Sequence, residues 1–327
     1  MNKTELTYLN LGESLDNLAN LDPRGYGVCK LLYKASRELI GKPLCLNFAE
    51  KIAGNLKAGD TVFILTGFVL YPYGKAETDG AIGSVLLANA LEKGLGVRSV
   101  IVCPEEAKNG IFALNEKLCA HAETVAFTKD ESEASDDCNS LINKYNPRAV
   151  IAVECPGADK NGRYHNARGV DVTDLQAKQD VIFEKLKADG ILNFAIGDLG
   201  NEIGMSAIAD CLENQIPVIP AKTITDNILT ATVSDWGCYS VIAMLSFILN
   251  KPELIHSGEI QKDIMNVACN NGLIDMNGGH IPAIDGLGEE ITSTIVQLMK
   301  ELVVNTIDHS DLCDYWFDKM TEGNHYA

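Results

Sequence analysis

Short apolar runs rich in Val and Ile alternate along this chain with longer amphipathic stretches. The apolar runs are Thr61–Gly67, Arg98–Cys103, Arg148–Glu154, Leu192–Gly197 and Pro217–Lys222, with a further one at Leu229–Ser234. Continuous apolar runs of this length, bounded by Gly, Pro or acids, read as buried strands. Between them, Gly80–Lys93, Phe112–Ala120, Glu133–Tyr145, Thr173–Ala188 and Asn201–Glu213 have helical length and an apolar face. Strand alternating with helix predicts an α/β protein with three layers: a largely parallel sheet and helices on both faces. The region up to Lys57 reads as helical, and so does most of the chain after Trp236, with helices expected at Gly258–Asn271, Glu289–Val304 and Ser310–Met320. These are helical N- and C-terminal extensions. No linker, repeat or charge run interrupts the pattern, so residues 1–327 read as a single domain.

Composition narrows the function. A formal net charge of -18, with no Lys/Arg cluster, excludes binding to nucleic acid by phosphate neutralisation. The ten cysteines are scattered without a Cys-x-x-Cys pair, which argues against a disulfide framework or a zinc site and for free thiols. The first ten residues are polar and mixed, unlike a secretory signal, and no apolar run is long enough to span a membrane. A cytoplasmic location and a small anionic partner are the expectation. Oligomeric state is left open.

Three strand-end loops carry the candidate chemistry, since ligands of parallel α/β sheets gather at the carboxyl ends of strands. The first runs from Thr66-Gly67-Phe68 to Glu77-Thr78-Asp79-Gly80 and opens a helix; it suits an anion or a metal, or else Asp79 simply caps the helix. The second is Glu154-Cys155-Pro156-Gly157, continuing to Tyr164, His165, Asn166 and Arg168. A carboxylate ending an apolar strand is costly unless it is used or paired. Arg168 could clamp a substrate carboxylate, or form a structural ion pair with Glu154. The third is Gly197-Asp198-Leu199-Gly200-Asn201-Glu202-Ile203-Gly204-Met205. Its glycines allow close backbone approach, and a helix starting there would offer free amides to an anion. A hard divalent ion such as Mg²⁺ or Mn²⁺, held by Asp79, Glu154, Asp198 or Glu202, fits the same residues.

Taken in order, these motifs resemble the C-terminal domain family of D-glutamate cyclase, formerly catalogued as a domain of unknown function. The resemblance starts at Asp22-Pro23-Arg24-Gly25 and continues through Thr66-Gly67-Phe68, Glu77-Thr78-Asp79-Gly80, Glu154-x-Pro156-Gly157 and Gly162-x-Tyr164-x-Asn166-x-Arg168-Gly169. It goes on through Ile196–Met205, Ser234-x-Trp236-Gly237-Cys238-Tyr239 and Asp285-Gly286-Leu287. Leu199 and Ser206 stand where the family usually has Gly, and Cys155 where it usually has Arg. The mammalian member carries an additional N-terminal domain with no counterpart in this sequence.

The resemblance implies a hydro-lyase that closes D-glutamate to 5-oxo-D-proline. It implies Glu154, Asp198 and Glu202 as catalytic groups. Arg24, Glu77, Asp79, Gly80, Tyr164, Asn166, Arg168, Gly197, Gly200 and Asn201 would bind the substrate, with the Gly200 and Asn201 amides holding one carboxylate. The residues alone fit two other readings: a protein that binds a small anion without turnover, as a sensor or accessory subunit, or an enzyme acting on another small carboxylate.

Overall fold

The computed structural model describes residues 3–309 and 314–322. The Val/Ile runs form the strands β1 (Thr61–Thr66), β2 (Arg98–Cys103), β3 (Glu123–Ala126), β4 (Ala149–Val153), β5 (Leu192–Gly197) and β6 (Ile228–Thr230). They pair in parallel in the spatial order β3-β2-β1-β4-β5-β6. The order reverses between β1 and β4, which opens a crevice at their carboxyl ends where ligands of such sheets bind.

Strand side chains alternate between two apolar layers. Val62, Ile64, Ile101, Ile151 and Phe194 face the larger layer, with Trp236 and Tyr239. Phe63, Leu65, Val102, Val150 and Ala195 face the smaller one, with Ile182 and Phe183. The helices in chain order are α1 (Lys3–Ala19), α2 (Val28–Ile40), α3 (Leu44–Asn55), α4 (Ala81–Leu95), α5 (Glu105–Leu118) and α6 (Glu131–Tyr145). Then come α7 (Asp180–Ala188), α8 (Ala209–Gln215), α9 (Ser234–Ile248), α10 (Gly258–Asn270), α11 (Glu289–His309) and α12 (Asp314–Glu322). Helix α9 is buried from Ser234 through Ser246, which explains its apolar character all round. It packs against α1, α3, α4 and α11.

Several expectations need correction. Pro217–Lys222 is not a strand. Two prolines remove backbone donors, Ile219 is exposed, and the segment instead ties loops together through Ala221 N to Gly200 O and Lys222 N to Ala158 O. The edge strand β3 was not foreseen; it is four residues long and only half-buried. The stretch after β5 is not helical from Asn201: a short 3₁₀ turn begins at Ser206 and α8 at Ala209. Helix α7 starts at Asp180 rather than Thr173, after a separate 3₁₀ turn. Of the expected last helix, residues 310–313 lie outside the described residues.

His256, just before α10, gives the fold a measurable pH response. It is buried, lies edge-on to Tyr239 at 5.1 Å, and its Nε2 meets Gln261 Oε1 at 2.6 Å. Burial lowers its pKa from 6.5 to about 4, more than Gln261 can offset. The unfolded chain therefore takes the proton first as pH falls. Stability is complete above the unfolded value and is lost as pH drops through the window down to the folded value. Between about pH 7 and about pH 4.5, wild type should lose about 2 kcal/mol more than His256→Asn. Urea unfolding at the two pH values checks this; equal slopes in both proteins would remove His256 as the cause.

Candidate active site

The crevice between β1 and β4 is built by loops that pair with one another. The loop after β4 and the loop after β5 zip together through Ile203 N to Cys155 O at 2.8 Å and Gly157 N to Asn201 O at 3.0 Å. This sets Glu154 beside Asp198. The long loop after β1 runs beside the segment between α10 and α11, with Thr78 N bonded to Ile274 O at 2.9 Å and Thr78 Oγ1 to Ala283 O at 2.7 Å. It ends on Asp79 and Gly80, at the start of α4.

Two aspartates there cap each other's helices. Asp79 precedes α4, yet its carboxylate accepts from Ser234 N (3.1 Å) and Asp235 N (2.8 Å) at the start of α9. Asp235 lies in α9, yet its Oδ1 accepts from Gly80 N (2.9 Å) and Gly83 N (2.7 Å) at the start of α4. Each satisfies amides that the other's helix leaves open. The sequence offered Asp79 as a cap of the helix that it opens, whereas its carboxylate also caps α9. Ser234 Oγ also donates to Glu154 Oε2 at 2.7 Å.

Glu77, Asp79, Glu154 and Asp198 are each at most 7% exposed, so the carboxyl groups meet in a nearly closed space. Burial first, and then mutual repulsion, raises the pKa of Glu77, Glu154 and Asp198 well above the carboxylate range. Asp79 is pushed up to about 7 by burial and by Asp285, even though three amides favour its charge. Asp285 sits at φ 50, and the burial that raises its pKa is opposed by Arg24. One oxygen from each of Asp79, Glu154 and Asp198 lies within 4.8 Å of the others.

Arg24 is the basic group at this cluster. The loop that carries it is closed by Asp22, whose carboxylate accepts from Gly25 N and Gly27 N. Its guanidinium donates to the Asp285 carboxylate, to Asp285 O at 3.0 Å and to Thr232 O at 2.8 Å, while Nε is buried without a partner. Asp198 and Asp79 both lie near enough to favour its charge.

Other expected site residues take different places. Glu202 is 1% exposed and accepts from Asp198 N (2.8 Å), Leu199 N (2.9 Å) and Gly200 N. The loop's amides thus hold a carboxylate of the protein itself, and no helix N-terminus faces the crevice there. Leu199 keeps a negative φ, unlike Gly200 at φ 124 and Gly204 at φ 87, so glycine is not required at position 199. Asn201 donates from Nδ2 to His165 O at 3.1 Å, and its Oδ1 is buried without a partner. Tyr164 is buried against Phe68 and donates to Asp180. Asn166 folds its own loop, accepting from Arg168 N and Val170 N at 3.0 Å. Arg168 is exposed, and no Glu154–Arg168 ion pair forms among the described residues. Cys155 turns into the opposite apolar layer toward Gln179. Gly197 is packed against Met205 Sδ and the Glu202 carboxyl.

Sequence reasoning did not assign Asp285 to the site, and missed Thr66, whose Oγ1 is buried without a partner. The signal for Asp285 was its place in the last matched motif. A surface cleft lined by Phe112, Asn115, His121 and Glu123 gathers no buried charged groups among the described residues. No described helix is long and apolar enough to cross a membrane.

Comparison with known proteins agrees with the motif order. The human mitochondrial D-glutamate cyclase is 27% identical over 272 residues, covering 76% of this chain and 41% of that protein. The chain therefore spans well under half the length of this relative. Among solved structures, a Listeria monocytogenes protein provisionally named a UDP-N-acetylglucosamine 2-epimerase is 14% identical, with a TM-score of 0.27 over 43% of this chain and 32% of that one. A mutant of O-ureido-L-serine synthase is 12% identical, with a TM-score of 0.23 over 88% of this chain and 86% of that one. Scores this low bear on neither fold nor function. The model of the family described as D-glutamate cyclase-like, C-terminal, matches residues 15–300, and the chain belongs to that family.

Proposed function

We propose that this chain is a hydro-lyase that cyclises D-glutamate to 5-oxo-D-proline and water. The observation that carries the reading is the convergence of Glu154, Asp198, Asp79 and Arg24 at the β1/β4 crevice of a chain in this family. In the reaction the α-nitrogen bonds to the γ-carboxyl carbon, and one γ-oxygen leaves. The ammonium gives up two of its three protons, and both end on the departing oxygen as water. The site must therefore take protons from nitrogen and return them to oxygen near neutral pH. Buried carboxyls with raised pKa values suit that relay.

In this reading the ammonium lies against the acid cluster, and a carboxylate oxygen of Glu154 or Asp198 takes its proton. Arg24 holds a substrate carboxylate through the Nε–H that the protein leaves unused. Glu202 keeps the Asp198 loop in place rather than touching the substrate. A reducing compartment suits the nine described cysteines, all free; cytoplasm is one such place, and the human relative's name points to another.

One observation favours binding without turnover as a second reading. With the loop amides occupied by Glu202, Arg24 is the one basic group at the cluster among the described residues, for a substrate with two carboxylates. Incubating the purified chain with D- or L-glutamate and following primary amine separates the readings. Loss of amine with the D enantiomer is the expected result. A raised Tm with D-glutamate and no amine loss would leave a binding protein, and no response to either enantiomer would remove both readings.

A further inference from the structure

We propose that Asp79, Glu154 and Asp198 bind one hard divalent cation of the Mg²⁺/Mn²⁺ class. Their three oxygens lie within 4.8 Å of one another, and small side-chain rotations that bring them within about 4.2 Å let one ion about 2.1 Å from each bridge them. The donor set is all oxygen, without His or Cys, which selects Mg²⁺ or Mn²⁺ over zinc. Three protein ligands leave room for waters or a substrate carboxylate, as such ions prefer.

A second observation is independent of the acids. Thr66 Oγ1 is fully buried and has no partner. It lies 2.8 Å from the point where a Cβ on Gly80 would stand, and Glu154 Cβ lies 2.6 Å from that same point. The hydroxyl thus faces the corner where Asp79-Gly80 meets Glu154. A buried hydroxyl there needs a partner, and a water of a bound ion supplies one.

The surroundings hold the ligands as a metal site requires. Ser234 Oγ fixes Glu154, and the amides of Gly80, Ser234 and Asp235 fix Asp79. Glu154 sits at φ 42, a conformation that persists only where its neighbours enforce it. Glu202, expected from sequence as a fourth ligand, is excluded because its two oxygens accept three backbone amides. Arg24 cannot neutralise the cluster alone, since Asp285 already engages it. A divalent ion would also let an anionic substrate enter a pocket that is itself anionic, and would polarise a bound carboxylate.

The proposal stands on geometry and holds whether or not D-glutamate is the substrate. Its test uses the full chain, stripped with a chelator, and Mn²⁺ followed by electron paramagnetic resonance. One saturable site per chain is expected, with Mg²⁺ displacing Mn²⁺. Asp198→Asn and Glu154→Gln should each weaken Mn²⁺ at least about ten-fold, with folding checked by circular dichroism. Asp136→Asn, on the exposed face of α6, should leave it unchanged. In wild type, Mn²⁺ should raise Tm saturably where Na⁺ at equal ionic strength does not. The absence of saturable binding, or of this Tm response, overturns the proposal. So does binding that persists equally in both carboxyl variants, which would assign it to surface acids. Turnover is not a readout here, so failure of the cyclase reading leaves this result intact.

Discussion

Asp198→Asn is expected to lower kcat/KM for D-glutamate by about 10²–10⁴-fold while the protein stays folded. The carboxyl of Asp198 is buried, and burial together with Glu154 already favours its neutral form. Asparagine keeps the volume and the neutral state that burial favours, so stability should not fall. The loop's shape survives as well, because Glu202 grips it through the backbone amides of residues 198–200, which the substitution leaves in place. What is lost is a group able to take a proton and release it. The measurement is primary-amine loss from D-glutamate alongside a thermal melt. Unchanged turnover in a folded variant would take Asp198 out of the mechanism.

Gly80→Ala should destabilise the protein by about 3 kcal/mol and abolish turnover. Gly80 has φ 76, which an alanine adopts only with strain. The added Cβ would stand 2.6 Å from Glu154 Cβ, 2.8 Å from Thr66 Oγ1 and 2.9 Å from Val153 O. Two of these atoms belong to the floor of the site and the third is backbone, so none yields easily. Gly162→Ala separates strain from crowding, because Gly162 has nearly the same φ, 77, and nothing within 4 Å of its Cβ position. It should cost only about 1 kcal/mol. Urea unfolding of both variants decides the point: equal losses would mean that close approach at Gly80 contributes nothing.

The contrast between these glycines shows what a sequence can carry. Gly80 and Gly162 look alike on paper, and only the packing distinguishes them. Five of the six strands were legible because buried parallel strands are continuous Val/Ile runs; β6 was read in part, through Leu229. The partly exposed Glu123–Ala126 lacked that signal, and Pro217–Lys222 imitated it. At the site, the acids of three loops were recognisable because carboxylates at the ends of apolar strands are unusual. Their partners were not. Nothing local tells that Asp79 caps α9 and Asp235 caps α4, that Glu202 folds back on its own loop, or that Arg24 rather than the exposed Arg168 stands beside the acids. Those facts depend on contacts across the sheet, which spacing along the chain does not encode.

The exchanged caps bear on how the molecule assembles. Gly80 and Asp235 are separated by 155 positions, with β2 through β6 between them. Their amides and carboxylates can meet only after those intervening strands have taken their places, so this is a contact of high order that forms late. The repulsion among the acids is therefore absent from the early folding barrier and falls on the native side of it. Neutralising one acid of the cluster should slow unfolding and leave the folding rate nearly untouched. Stopped-flow rates of Asp198→Asn against wild type check this: the pocket's acids should then set the lifetime of the native state rather than the speed of reaching it.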